Sequence, residues 1–234
     1  ASTTTMRDRA SYFNAAAAYQ KVKYYDSAAK LLERLVTEER FAKSEFIEKS
    51  LSVLAETYKQ FFSFDKAISA YRTLHGRYRE AEKEERSYRL GQIAILYEAA
   101  GNYREAALGY EAYVSAYPGA ERSAVYLKKA GDLYGRLDDL KNTRRLLRQF
   151  AKTYRKTDEM ENKQLIDEWV IEAHGKLRDI AQRVGDKRAT KRIEDQIVKE
   201  YLARNVAPEG TLAWYGELNT KPAELVAGIM FRKL

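Results

Sequence analysis

The chain of 234 residues has no cysteine, which removes disulfides, thiolate metal sites and cysteine nucleophiles together. It has only three prolines and twelve glycines, so little interrupts the Ala, Glu, Lys, Arg and Leu that fill it and favour helix. Signals for β-strands are nearly absent. No run of about 18 uncharged apolar residues is present to span a bilayer, and the opening ASTTTMRDRASYFNAAAAYQ lacks the basic-then-apolar order of a signal peptide. The first residue is alanine and helical patterning begins almost at once, which points to a processed or excised segment of a longer chain. What is there is 45% hydrophobic and 32% charged, with a net charge of +8: enough apolar matter for a core, and more charge than an average globular domain carries.

The stretch YEAAGNYREAALGYEAYVSAYPGA, residues 97–120, places aromatic and small residues at spacings that recur. Tyr97, Tyr103, Ala106, Tyr110 and Tyr113 map 39 residues upstream onto Tyr58, Phe64, Ala67, Tyr71 and Leu74. A second step of 39 reaches Tyr19, Tyr25, Ala28, Leu32 and Leu35, and a downstream step of 37 reaches Tyr134, Leu140, Thr143, Leu147 and Phe150. Four copies of one unit therefore follow each other, and internal repetition outranks other evidence on topology. Within each copy two segments show apolar positions at three- and four-residue steps, the mark of amphipathic helices. In the third copy Leu90, Ile93, Ala94 and Tyr97 belong to the first helix, and Ala106, Tyr110 and Tyr113 to the second. Gly101 or Asn102 between them can take the positive φ that reverses the chain, and Ala94 and Ala106 are small where the helices must approach. Each unit is expected to be a helical hairpin.

These residues resemble the tetratricopeptide repeat family. With Tyr97 as its aromatic eleventh position, Ala94 falls at the small eighth, Gly101 at the fifteenth, Ala106 at the twentieth, Tyr110 at the twenty-fourth and Pro118 at the thirty-second. The period of 37 to 39 departs from the family's usual length of about 34, the family's tryptophan is missing, and the proline occurs in one copy. The resemblance implies an all-α, right-handed superhelical solenoid whose first helices line a concave groove for a peptide or helix. It places Phe13, Asn14 and Gln20 in that groove from the first repeat, and Lys49, Ser52 and Glu56 from the second. The third repeat would supply Tyr88, Gln92, Ile95 and Glu98, and the fourth Val125, Lys128, Lys129, Asp132 and Arg136. The family's clamp for a carboxyl terminus needs Lys and Asn where this chain has Phe13 and Ala17, Asn where it has Val53, and Lys and Arg where it has Tyr88 and Gln92, so the clamp is absent.

Residues 1–160 are expected to hold the four hairpins and 161–205 a fifth, longer one. A shift of 84 maps Gly101 onto Gly185, Ala106 onto Thr190, Tyr113 onto Ile197 and Tyr117 onto Tyr201, after a long helix from about Leu165 to Val184. Residues 206–234 read as a loop and then an irregular C-terminal extension. Its Leu225, Val226, Ile229, Met230 and Phe231 are too apolar for a solvated tail and must pack on the last hairpin, on a missing repeat or end to end on another chain.

His75 and His174 lie in different repeats without HExxH or a triad, and each is expected as a partly exposed helix residue. No phosphate-binding glycine loop occurs. The chain is expected to be no enzyme and to need no metal or cofactor. Charge supplies the competing idea: residues 141–156 hold seven basic residues and no acid, and 176–192 seven more against two aspartates. Arg144, Arg145, Arg148, Lys152 and Arg155 cannot all share one side of a helix. Such a patch suits an acidic protein, an anionic membrane or nucleic acid, or simply keeps the surface solvated. A loose similarity to long tetratricopeptide proteins of bacterial cell envelopes and motility machines favours a bacterial scaffold, with periplasm and cytoplasm both open. The main expectation is a scaffold or adaptor with a partner peptide in the groove. The alternative is an electrostatic tether through 141–192.

Overall fold

How a first helix ends decides where the second one runs. In this computed structural model the described residues are 3–41, 46–154, 163–205 and 220–231, with side chains described at 9–41, 46–154, 165–200 and 225–231. Five helix pairs follow one another: α1 (Thr3–Lys21) with α2 (Tyr25–Thr37), α3 (Phe46–Gln60) with α4 (Phe64–Arg77), α5 (Lys83–Ala99) with α6 (Tyr103–Ala116), α7 (Ser123–Arg136) with α8 (Leu140–Thr153), and α9 (Lys163–Arg183) with α10 (Lys187–Asn205). A last helix, α11 (Thr220–Phe231), comes after them, and no strand occurs among the described residues.

Every pair turns by the same device. One residue after each first helix is left-handed: Lys23 (φ 62°), Phe62 (60°), Gly101 (77°), Asp138 (57°) and Gly185 (73°). The following N–H reaches back to close the helix end, as in Asn102 to Tyr97 O at 2.9 Å, Ser63 to Tyr58 O at 2.9 Å and Asp139 to Tyr134 O at 3.0 Å. The left-handed residue's own N–H closes a second ring, as in Gly101 to Glu98 O at 3.0 Å and Phe62 to Lys59 O at 3.1 Å. This Schellman closure satisfies carbonyls that the helix leaves orphaned. Of the two residues the sequence offered for the third turn, Gly101 takes the positive φ. Asn102 instead starts the second helix, with Tyr24, Ser63 and Asp139 at the equivalent place and φ between −82° and −79°. Asp139 accepts from Asn142 N at 3.1 Å and Asp186 from Ala189 N at 2.9 Å, each cap being worth about 1 kcal/mol.

The repeated positions are the core. Ala28, Ala67, Ala106 and Thr143 are all buried, as are Leu32, Tyr71, Tyr110 and Leu147, and Leu35, Leu74, Tyr113 and Phe150. Small residues set the helix separation: a Cβ added at Gly109 would lie 2.9 Å from Ala94 Cβ, so α5 and α6 meet backbone to backbone there.

The chain divides into two compact units, Ala1–Pro118 and Gly119–Leu234. In the first, each helix from α1 to α6 packs on the next and α1 also touches α3. Arg89 on α5, only 1% exposed, is anchored by Glu48 of α3 at 2.6 Å, by Glu85, and by the Leu74 and Tyr78 carbonyls. Burial opposes its charge, but the two carboxylates outweigh that and raise its pKa. In the second unit α7 to α10 pack in order, and α11 lies on α9 and α10. Val226 and Ile229 of α11 are buried with Ile171 and Ile197, so the C-terminal apolar helix packs on the last hairpin. Its Met230 and Phe231 stay exposed.

Candidate functional site

Within each unit consecutive first helices are joined by side chains, and about half of the expected groove residues take part. In the first unit Lys49 Nζ on α3 sits 5.1 Å from the centre of the Phe13 ring on α1, a cation–π contact worth about 0.5–1 kcal/mol at an exposed site. Gln20 Nε2 donates to Thr57 Oγ1 at 2.5 Å. Glu56 on α3 accepts from the Tyr71 hydroxyl and, at 2.7 Å, from the Tyr88 hydroxyl of α5. Lys59 pairs with Glu56 at 2.9 Å and donates to Gln92 Oε1 at 2.8 Å. Glu56, Tyr88 and Gln92 thus form one polar network across α3, α4 and α5. Burial alone would raise the Glu56 pKa; bonds from Tyr71, Tyr88 and Lys59 outweigh it and hold the carboxyl below its ordinary value.

The groove residues differ in what they leave to a partner. Asn14, Lys49 and Tyr88 are exposed, and Phe13, Ser52 and Ile95 half-buried. Gln92 is only 7% exposed, and Glu98 accepts the hydroxyl of buried Tyr110. In the second unit Lys128 on α7 pairs with Asp132 at 3.0 Å and with Glu172 of α9 at 3.4 Å, while Lys176 of α9 reaches Asp132 at 2.6 Å and Glu172 at 2.8 Å. The four charges alternate between two first helices, and Lys128 lies 5.6 Å from the Trp169 ring centre. Burial lowers the Lys176 pKa, but Asp132 and Glu172 more than restore it, so the group stays charged. Val125 and Arg136 are exposed and Lys129 half-buried.

The chain is similar to tetratricopeptide repeat proteins of known structure. One is a Podosopora anserina protein with nearly identical tetratricopeptide-like repeats, described as a kinesin light chain, at 18% identity over 84% of this chain and 96% of that one, with a TM-score of 0.47. Another is a tetratricopeptide repeat protein from Parabacteroides merdae, at 13% identity over 96% of this chain and 99% of that one, also at 0.47. No family model and no curated protein matches the chain. The five matching turns and the repeated core, both features of this chain itself, make it a succession of hairpins.

On α8 the basic residues separate by face. Lys141, Arg145, Arg148 and Lys152 are exposed at helical steps, while Arg144 is half-buried beside them; Arg155 lies outside the described residues. Arg183 of α9 reaches Asp138 at 3.4 Å, and Arg178 pairs with Asp179. His174 corrects the expectation of exposure: it is buried, with Gln196 Nε2 at 3.1 Å from its Nε2 and Glu200 at 3.3 Å from its Nδ1. His75 is half-buried; burial, reinforced by Arg86, Arg89 and Arg79, lowers its pKa. Among the described residues no group of three His, Cys, Asp or Glu side chains could hold a metal ion, and no helix is long and apolar enough to cross a membrane. Thr57, Lys59, Glu172 and Lys176 were missed as parts of this face, and Arg89 as the buried link between α3 and α5. Glu172 and Lys176 sit in the fifth hairpin, whose longer spacing hid their register.

Proposed function

We propose that the chain is a non-enzymatic protein-interaction scaffold that takes a partner peptide or helix across its first helices. Cross-helix contacts within each unit support this: Phe13 with Lys49, Glu56 with Tyr88 and Lys59 with Gln92 in the first, and Lys128 with Glu172 in the second. Such bonds hold first helices side by side at fixed spacing, which prepares a surface and lowers the ordering cost of binding. Two roles follow. Glu56, Gln92, Lys128 and Asp132 stiffen the face, and Phe13, Asn14, Lys49, Ser52, Tyr88, Ile95, Val125, Lys129 and Arg136 meet the partner. Aromatic and aliphatic anchors beside charges of both signs suit an extended or helical peptide. The four hairpins of 1–160, the fifth of 161–205, a bacterial envelope setting and end-to-end contact through α11 belong to the same proposal.

The test is affinity capture of a partner followed by binding of its purified segment to wild type and to a variant carrying Phe13→Ala, Lys49→Ala and Tyr88→Ala. The variant should bind at least about tenfold more weakly, the loss of about 1.4 kcal/mol or more expected of a removed anchor, with unchanged circular dichroism. Equal binding by a folded variant overturns the assignment. A second reading, a tether to anionic membrane or nucleic acid through 141–192, is supported by the exposed row Lys141, Arg145, Arg148 and Lys152. Binding through that row should collapse in salt near about 1 M, where screening shortens to a few ångströms.

A further inference from the structure

Of the three hairpin turns in the first unit, two carry large apolar side chains in solvent. At the first, Tyr24 is 64% exposed, Val22 59% and Tyr19 41%; at the second, Phe62 is 77% exposed, with Phe61 beside it. The Gln20 to Thr57 bond of 2.5 Å ties the ends of α1 and α3 together, so the two turns share one edge of the unit. The third turn has Gly101 and Asn102 at the equivalent places.

Phe62 is the most telling of these residues. It occupies the left-handed position that Gly101 fills in the next repeat, a conformation a bulky side chain adopts only against steric resistance. Its ring meets Phe64 at 6.0 Å between centroids yet remains mostly in water, so core packing does not account for a phenylalanine there. Backbone strain of this kind concentrates where function requires it.

The chemistry around the edge identifies what it faces. Residues 18–25 contain Lys21 and Lys23 and no acid, and 57–64 no acid and one lysine, Lys59, which is held by Glu56 and Gln92 on the first-helix face, whereas 96–103 contain Glu98 and no lysine. Lys21 and Lys23 are exposed next to the apolar side chains. The N–H groups of Lys23, Tyr24, Phe62 and Ser63 are all bonded inside their own turns, so these tips can leave bulk water without stranding a backbone donor. Aromatic tips with closed backbones and flanking lysines match a bilayer interface, where rings settle at headgroup level and cations meet lipid phosphates.

We propose that the edge formed by the first two hairpin turns docks the chain onto an anionic bilayer surface, with Tyr24 and Phe62 entering the headgroup layer and Lys21 and Lys23 facing lipid phosphates. This site is separate from the basic row on α8 and from the first-helix face.

The test is flotation of the full chain with vesicles of phosphatidylcholine alone and of phosphatidylcholine with about 30% phosphatidylserine, at about 0.1 M salt. Wild type should float with the anionic vesicles and stay below with the neutral ones. A variant carrying Tyr24→Ser and Phe62→Gly should lose at least about tenfold of that binding, because two interfacial anchors are gone. Phe62→Gly alone should melt no lower than wild type, since glycine accepts the left-handed backbone, which separates lost docking from lost folding. Arg145→Glu with Arg148→Glu should leave most flotation in place. The proposal is overturned if wild type fails to float with anionic vesicles, if the turn variant floats as well as wild type, or if only the α8 reversal abolishes flotation. It is equally overturned if the turn variant keeps flotation but loses a captured protein, which would make the edge a protein contact.

Discussion

The two units use one hairpin plan and join their first helices by different chemistry. In Ala1–Pro118 the contacts between repeats use tyrosine: Tyr58 of α3 donates to Glu33 of α2 and Tyr88 of α5 to Glu56 of α3, while Tyr71 reaches the same Glu56 from within its own hairpin and Lys59 supports that carboxylate. In Gly119–Leu234 the corresponding join between α7 and α9 is the four-charge alternation of Lys128, Asp132, Glu172 and Lys176. The turns are indifferent to this change, since the left-handed residue and its two closing bonds recur in both units. Backbone geometry is therefore fixed by the repeat, while the side chains that couple repeats vary freely. A tyrosine–carboxylate bond places apolar ring area and a charge-assisted hydrogen bond in one residue. A half-exposed ion pair offers less, because solvent screens it.

Removing a buried tyrosine of the first unit should have the largest effect. Tyr110→Ala deletes a fully buried ring together with its hydroxyl bond to Glu98, and should cost about 3–5 kcal/mol. Hydrogen exchange should show the loss of protection centred on α5 and α6, spreading to stacked neighbours. If α9 and α10 lose protection first, the contrast between the units is broken.

Acid should act next, through the carboxylates of the first unit. The Tyr58 bond, aided by Lys66 against the effect of burial, holds Glu33 below its ordinary pKa, and Glu56 is likewise depressed. A depressed folded value means the stabilisation is complete above the unfolded carboxylate pKa of about 4.3 and is lost as pH falls through the folded value. The wild-type melting temperature should drop on the order of a few degrees as pH falls below that point, and Glu56→Gln should flatten the drop. An unchanged slope in the variant would remove Glu56 from this account.

The smallest effect should come from the charge alternation of the second unit. Asp132 is partly solvated, and Asp132→Asn should cost only about 0.2–1 kcal/mol, shrinking further in high salt. A loss approaching that of Tyr110→Ala would show that the ion pairs hold the second unit as strongly as a buried tyrosine–carboxylate contact holds the first, and would erase the difference between the units.

Much of this was legible beforehand, for a local reason. Steps of 39 and 37 carried Ala106, Tyr110 and Tyr113 onto residues that are all buried, because core positions of a repeat meet the same partners within their own hairpin. Gly185 was located by a longer shift and is left-handed as the turn requires. Gly109 escaped notice because its closeness to Ala94 involves the facing helix, which leaves no mark on its own sequence neighbourhood. His174 was misjudged similarly: lone histidines favour surfaces, but Gln196 and Glu200, more than twenty residues on, enclose this one.

The sequence by itself determined that helices recur in pairs and about where each pair turns, since amphipathic spacing, small residues and turn chemistry act within about forty residues of chain. Only the tertiary structure decided how the first-helix side chains divide. Glu56 and Gln92 are taken up in bonds to the neighbouring repeat, Lys49 and Tyr88 also reach solvent, and Phe62 is held left-handed in water. Burial and pairing of that kind are properties of two surfaces meeting, and neither surface's sequence contains the other.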